Sequence, residues 1–166
     1  MFKMIKQLSK KIFWSLGYDV SRISFDASPS HQLVAELNHV DANLGFDIGA
    51  NIGQFAQDLR SAGHAGNIVG FDPLVGAHAR LESAARRDFA WFIHPQVAVG
   101  DHSGEIDINV AGNSVSSSIL PVMEAHSSVA VESAYIAVER TSLVRLDTVS
   151  SQYIAPSTRL FIKIDT

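Results

Sequence analysis

The sequence predicts an α/β fold, a parallel sheet with helical crossovers, and three observations carry that reading. Short apolar runs at Leu44–Ile48, Asn67–Phe71 and Phe89–Val99 alternate with helical patterns at Gln54–Ala62 and Gly76–Arg87. Such alternation argues for parallel strands, because a parallel neighbour needs a crossover. The first run leads into Asp47, Gly49 and Gly53, the second into Asp72-Pro73, which are the turn residues expected where a strand hands over to a helix. The 166 residues are 46% hydrophobic, enough for a buried core, and 18% charged, too few for a disordered chain.

The elements follow in order. Met4, Ile5, Leu8, Ile12, Phe13 and Leu16 have helical spacing, with Lys3, Lys6, Lys10 and Lys11 between them. One reading packs this helix on the domain. The other lays it on an anionic membrane surface, where binding needs acidic lipid and weakens with salt. Ser24, Asp26, Ser28, Pro29 and Ser30 make a linker, so residues 1–30 are read as a basic helix and linker, and 31–166 as the main domain. A helix with Leu33, Val34 and Leu37 on one face opens that domain. After the three runs above, Glu105–Val110 alternates polar and apolar like a half-buried strand. Gly112–Ser118 is small and polar, Tyr135–Leu146 reads as a strand, Asp147 is placed to cap a short helix through Ile154, and Arg159–Asp165 is a final strand.

Composition excludes several classes. The absence of cysteine removes disulfides and thiolate metal sites, and points to a reducing cytoplasm. The net charge of −4 argues against a nucleic-acid binder. The apolar run after the lysines is interrupted by Ser15, Gly17, Tyr18 and Asp19, too short for a signal peptide, and no long apolar stretch spans a membrane. His31, His39, His64, His78 and His102 show no metal-ligand spacing, so no metal is expected.

Chemistry concentrates in Phe46-Asp47-Ile48-Gly49-Ala50-Asn51-Ile52-Gly53, at the first strand-to-helix turn. Glycine permits close backbone approach and positive φ, and Asn51 tolerates left-handed geometry. The following helix points free N–H groups into the crevice. Asp47 is suited to an ammonium group or an ordered water. Asp72 comes 25 residues after Asp47, where an acid accepts from both ribose hydroxyls of an adenosine cofactor. The loop lacks the G-x-G-x-x-G spacing for a pyrophosphate, and there is no P-loop. An adenosyl cofactor without phosphates, S-adenosylmethionine, fits best.

Phe46 to Gly53 and then Gly70-Phe71-Asp72-Pro73 resemble the FkbM-type methyltransferases. Val97-Ala98-Val99-Gly100-Asp101, Ser116-Ser117-Ser118, Arg145-Leu146-Asp147 and Phe161-Ile162-Lys163-Ile164-Asp165 agree in order, and so does the basic segment leading to Gly17-Tyr18-Asp19. The resemblance implies a Rossmann-like class I methyltransferase sheet with helices on both faces. It implies an S-adenosylmethionine-dependent O-methyltransferase acting on a sugar, glycolipid or similar small hydroxylated acceptor. Asp47, Gly49, Asn51 and Gly53 would line the methionine end of the cofactor, Asp72 would hold the ribose, and Asp101 would accept from the adenine amino group. In the family the final motif continues into further helices and strands, whereas this sequence stops at Thr166. The expectation is a C-terminally truncated member. Leu160, Phe161, Ile162 and Ile164 would then lie on an open, self-associating edge, and the fragment alone would be weakly stable and inactive.

Methyl transfer to a sugar hydroxyl is helped by a general base. Asp165, ending the strand beside the cofactor loop, is the first candidate, and His126 in the Ser-rich insert the second. Ser116, Ser117 and Ser118 are candidates for binding acceptor hydroxyls. Lys163 reads as a structural or pocket-rim charge, and His94 as structural. An inactive cofactor-binding remnant is the alternative, and a nucleotide-dependent oxidoreductase a weaker one. The expected location is cytoplasmic, with peripheral contact at the inner membrane surface.

Overall fold

The computed structural model describes residues 28–111 and 135–165. The N-terminal lysine helix, Ser116, Ser117, Ser118 and His126 lie outside the described residues. In chain order the elements are α1 (Pro29–His39), β1 (Leu44–Ile48), α2 (Gln54–Ser61), β2 (Asn67–Phe71), α3 (Val75–Ala85) and β3 (Trp91–Ile93). They continue with β4 (Ala98–Gly100), β5 (Gly104–Ala111), β6 (Tyr135–Arg145), α4 (Leu146–Ser150) and β7 (Leu160–Ile164).

A four-stranded, wholly parallel sheet has the order β3-β2-β1-β7. Side chains alternate between its faces. On one face, Val34 and Leu37 of α1, Ala56 and Leu59 of α2, and Leu81 and Ala85 of α3 pack on Ile68 and Trp91. On the other, Leu44, Phe46, Ile48, Val69 and Phe71 form a second core with Val97, covered by Val144, Leu146, Val149 and Tyr153. Each fully buried Leu, Ile or Phe contributes about 1.5–3 kcal/mol. Because both faces are covered, all five residues of β1 are buried, Asp47 included. The second cover stops at β1: Leu160, Ile162 and Ile164 of β7 are 36%, 46% and 68% exposed.

The mixed α/β architecture and its mostly parallel sheet agree with the sequence reading. Three details correct it. Phe89–Val99 is not one strand: β3 ends at Ile93 and β4 begins at Ala98. The His94 N–H bond to the Gly70 carbonyl is the last to β2, and the chain then leaves this sheet through Pro95. β4 joins a second sheet of order β4-β6-β5, parallel to β6 while β5 is antiparallel to it. The second face of the main sheet is therefore covered by α4 and by residues around this small sheet, not by a full set of helices. Finally, Asp147 does not cap α4. Arg145 holds the cap position, and Asp147 lies in the first turn, 3.1 Å from the Arg145 guanidinium.

Arg60 ties the back of the helical face together. Its guanidinium donates to Asp88 at 2.6 Å and to the carbonyls of His64, Gly66 and Ala90 at 2.9, 2.8 and 3.1 Å. Burial raises the Asp88 pKa, but the Arg60 hydrogen bond, the Ala90 N–H and the Arg60 charge together hold the carboxyl below its usual range. Both side chains are partly exposed, at 20% and 28%, so solvent screens the pair. Arg60→Ala is expected to cost about 1–1.5 kcal/mol in urea unfolding, with Arg60→Lys no better because an ammonium lacks the planar fork. An unchanged midpoint for Arg60→Ala would remove this role.

Among the described residues no helix is long and apolar enough to cross a membrane.

Candidate functional site

The carboxyl ends of β1, β2 and β7 meet the start of α2, the place where open parallel sheets take ligands. The loop after β1 needs three left-handed residues: Gly49 at φ 74°, Asn51 at φ 51° and Gly53 at φ 89°. Two are glycines and the third is the side chain type that tolerates this region. Gly53 caps α2, and a Cβ there would fall 2.6 Å from the Trp91 ring. The Gly49 and Ala50 N–H groups both donate to the Phe71 carbonyl, at 3.0 and 2.9 Å, which locks this loop to the end of β2.

Asp72 completes the lock. One carboxylate oxygen accepts the Asn51 N–H at 2.7 Å, and the other accepts the Leu74 N–H at 3.0 Å. The side chain thus braces the loops after β1 and β2 against each other. It is buried, and burial raises its pKa, opposed by the Leu74 and Asn51 N–H groups and by His78, and reinforced by Asp47.

Asp47 is fully buried beside Lys163. The register pairs Asp47 with Lys163 on adjacent parallel strands, so both side chains leave the same face of the sheet. Lys163 Nζ stands 3.0 Å from Asp47 Oδ1, an ion pair not aligned as a hydrogen bond. Neither Asp47 oxygen accepts an aligned hydrogen bond from the described residues. Burial is the largest influence and leaves the Asp47 pKa raised; Lys163 offsets it in part, and Asp165 adds a smaller rise. The ammonium also donates to the Gly49 carbonyl at 3.3 Å, lies 5.7 Å from the Phe55 ring centre, and reaches Asp165 at 3.5 Å.

The structure thus brings Asp47, Gly49, Asn51, Gly53, Asp72 and Asp165 to one end of the sheet. Asp165 is anchored through its N–H to the Ile48 carbonyl at 3.0 Å, while its carboxylate is 80% exposed. Asp101 is placed otherwise. It follows β4 of the small sheet, not the third strand of the main one, because of the break at Pro95. Its side chain is 94% exposed and lies 2.6 Å from His102 Nδ1, whose hydrogen bond lowers the Asp101 pKa. No described contact joins it to Asp47 or Asp72. His94 is buried against Phe71, at 4.9 Å between ring centres, with Nδ1 2.8 Å from the Tyr153 hydroxyl. Burial lowers its pKa, with His78 adding to the effect, which favours the neutral ring.

Lys163 is the residue whose importance the sequence understates. Its signal is the opposite charge at matching positions near the ends of two apolar strands, which only the register turns into a contact. A shallow depression lined by Asp41, Asn43, Ser157, Thr158 and Arg159 lies at the amino ends of β1 and β7. An Arg159–Asp41 ion pair spans it, and it sits at the opposite end of the strands from the glycine loop.

A search of curated proteins finds no match. The family model described as the methyltransferase FkbM domain matches residues 47–166, from the acid of the glycine loop through β7, which is well over half of the sequence. The glycine loop, Asp72 and the Lys163–Asp165 strand end all fall within that span, and the chain belongs to the FkbM methyltransferase family.

Proposed function

We propose that this methyltransferase uses S-adenosylmethionine and methylates a hydroxyl of a sugar, glycolipid or similar small acceptor. The observation that carries the cofactor reading is the pair of buried carboxylates, Asp47 and Asp72, at adjacent strand ends over a loop with three left-handed residues. The donor set suits an adenosyl group with a cationic tail. Asp47 has oxygens without an aligned donor, fit for an α-ammonium group. Asp72 accepts one N–H on each oxygen and retains lone pairs for a ribose diol. Asp47, buried at the glycine loop where a pyrophosphate would approach, disfavours a dinucleotide.

In this reading Asp47, Gly49, Asn51 and Gly53 hold the methionine end and Asp72 the ribose, while Asp101, exposed beyond the small sheet and paired with His102, stands outside this set. When bound there, S-adenosylmethionine supplies an electrophilic methyl group. The protein's task is chiefly to hold the acceptor oxygen in line with it. Asp165, exposed at the rim, is the proposed base that takes the hydroxyl proton. His126 is the second candidate base, and Ser116, Ser117 and Ser118 are proposed acceptor contacts. The acceptor class, a cytoplasmic site and contact of the lysine helix with the inner membrane surface rest on the sequence alone.

Isothermal titration with S-adenosylmethionine and with NAD tests the cofactor. Saturable binding of the first and none of the second is the expected result. The reverse would favour an oxidoreductase.

A further inference from the structure

A carboxylate buried as deeply as Asp47 favours its neutral form unless a cation stands against it. Among the described residues the groups facing it are few. From β7 come the Lys163 ammonium at 3.0 Å and, beyond it, the Asp165 carboxylate. From β2 comes Asp72, itself backed by His78 on α3. Lys163 is thus the one cation among these that touches Asp47, and Asp72 and Asp165 both oppose its charge.

Lys163 also touches Asp165, but the two contacts are unequal. Asp165 is 80% exposed and 3.5 Å away, so water screens the pair and it contributes little. The Asp47 side chain is 1% exposed and closer, in a setting where the Coulomb attraction is stronger. The Gly49 carbonyl and the Phe55 ring fix the ammonium in that position.

We propose that Lys163 is a positioning residue, the counter-ion that keeps buried Asp47 anionic and available to a cationic ligand group. The inference deepens the S-adenosylmethionine reading and rests on it for the identity of that group. A competing ammonium beside Asp47 has a cost in ligand affinity, but it removes a larger one, the protonation of Asp47. The sign follows from burial. With Lys163 gone, burial, Asp72 and Asp165 all act to raise the Asp47 pKa. Affinity for the ligand's ammonium is then retained at higher pH and lost as pH falls through the raised value.

The experiment is titration of S-adenosylmethionine between about pH 5.5 and pH 7.5, below the range where an α-amino group itself loses its proton. The unaltered protein is expected to bind with affinity changing less than about threefold across this window. Lys163→Met is expected to bind at least about tenfold more weakly at the acid end than at the other, and Lys163→Arg to restore the flat profile. A folded Lys163→Met with a flat profile, even one weaker throughout, would overturn the inference, since a merely structural lysine shifts affinity equally at every pH.

A second measurement needs no folded variant. The 13C signal of the Asp47 carboxyl in the unaltered protein should stay at its ionised position throughout the same window, and titration within it would overturn the inference. No binding of S-adenosylmethionine by the unaltered protein at any pH would overturn the cofactor reading, leaving the carboxyl signal to decide the role of Lys163.

Discussion

Asp72→Ala is expected to lose affinity for S-adenosylmethionine by about 5- to 150-fold and stability by about 2–4 kcal/mol. The binding loss is that of a charged acceptor removed from a ribose diol, about 1–3 kcal/mol. The stability loss has another cause. The carboxylate accepts the Asn51 and Leu74 N–H groups at 2.7 and 3.0 Å, and alanine strands both donors in a buried site. Asparagine is no full remedy: its oxygen satisfies one N–H, and its amide presents a donor to the other. Titration at a temperature where the variant is folded, paired with urea unfolding, separates the two effects. Unchanged affinity in a folded variant would sink the ribose assignment. An unchanged midpoint would sink the bracing of the two loops.

Asp72 also shows where sequence reading stops. Its place at a strand end was legible from Asp72-Pro73 after an apolar run. Its bond to Asn51 was not, because it joins loops that only the parallel pairing of β1 and β2 brings together. The same limit explains the other gaps. β1, α2 and β2 were readable because their signals are local: apolar runs, a glycine loop, a glycine stop. The small sheet was not, because it pairs Gly104 with Leu143 and Ala98 with the same residue, a match no local pattern encodes. Pro95 divides β3 from β4, yet the apolar residues on either side of it give the sequence pattern of one extended stretch.

Lys163 and Phe161 owe their roles to one fact of register. β7 pairs with β1 so that Phe161 faces Gly45 and Lys163 faces Asp47, two residues further on. Alternation puts all four on the face covered by α1, α2 and α3. A shift of one residue would turn Lys163 away from Asp47 and bring Ile162 or Ile164 beside it, leaving a buried acid with no counter-charge. Packing and charge therefore specify the same alignment, the first through a ring that needs a glycine opposite, the second through an ion pair.

Gly45→Ala tests the packing half of that statement. A Cβ on Gly45 would lie 2.2, 2.6 and 2.8 Å from three atoms of the Phe161 ring, closer than atoms in contact allow. In a strand without this obstacle the substitution would stabilise slightly, because glycine loses the most backbone freedom on folding. Here the ring must move, and it is held. Phe161 packs against the core beneath the helices and meets the His64 ring edge-on at 5.6 Å. Overpacking of this kind costs about 1–3 kcal/mol. The decisive comparison is the same change made with Phe161→Ala already in place. The obstructing ring atoms are then gone, and Gly45→Ala is expected to be neutral or stabilising by up to about 0.5 kcal/mol. The sign of one substitution thus reverses with the identity of its neighbour, a coupling that a double-mutant cycle in urea reads directly. Equal effects of Gly45→Ala in both backgrounds would mean that the ring swings aside freely, and that Phe161 does not hold the register of β7 on β1.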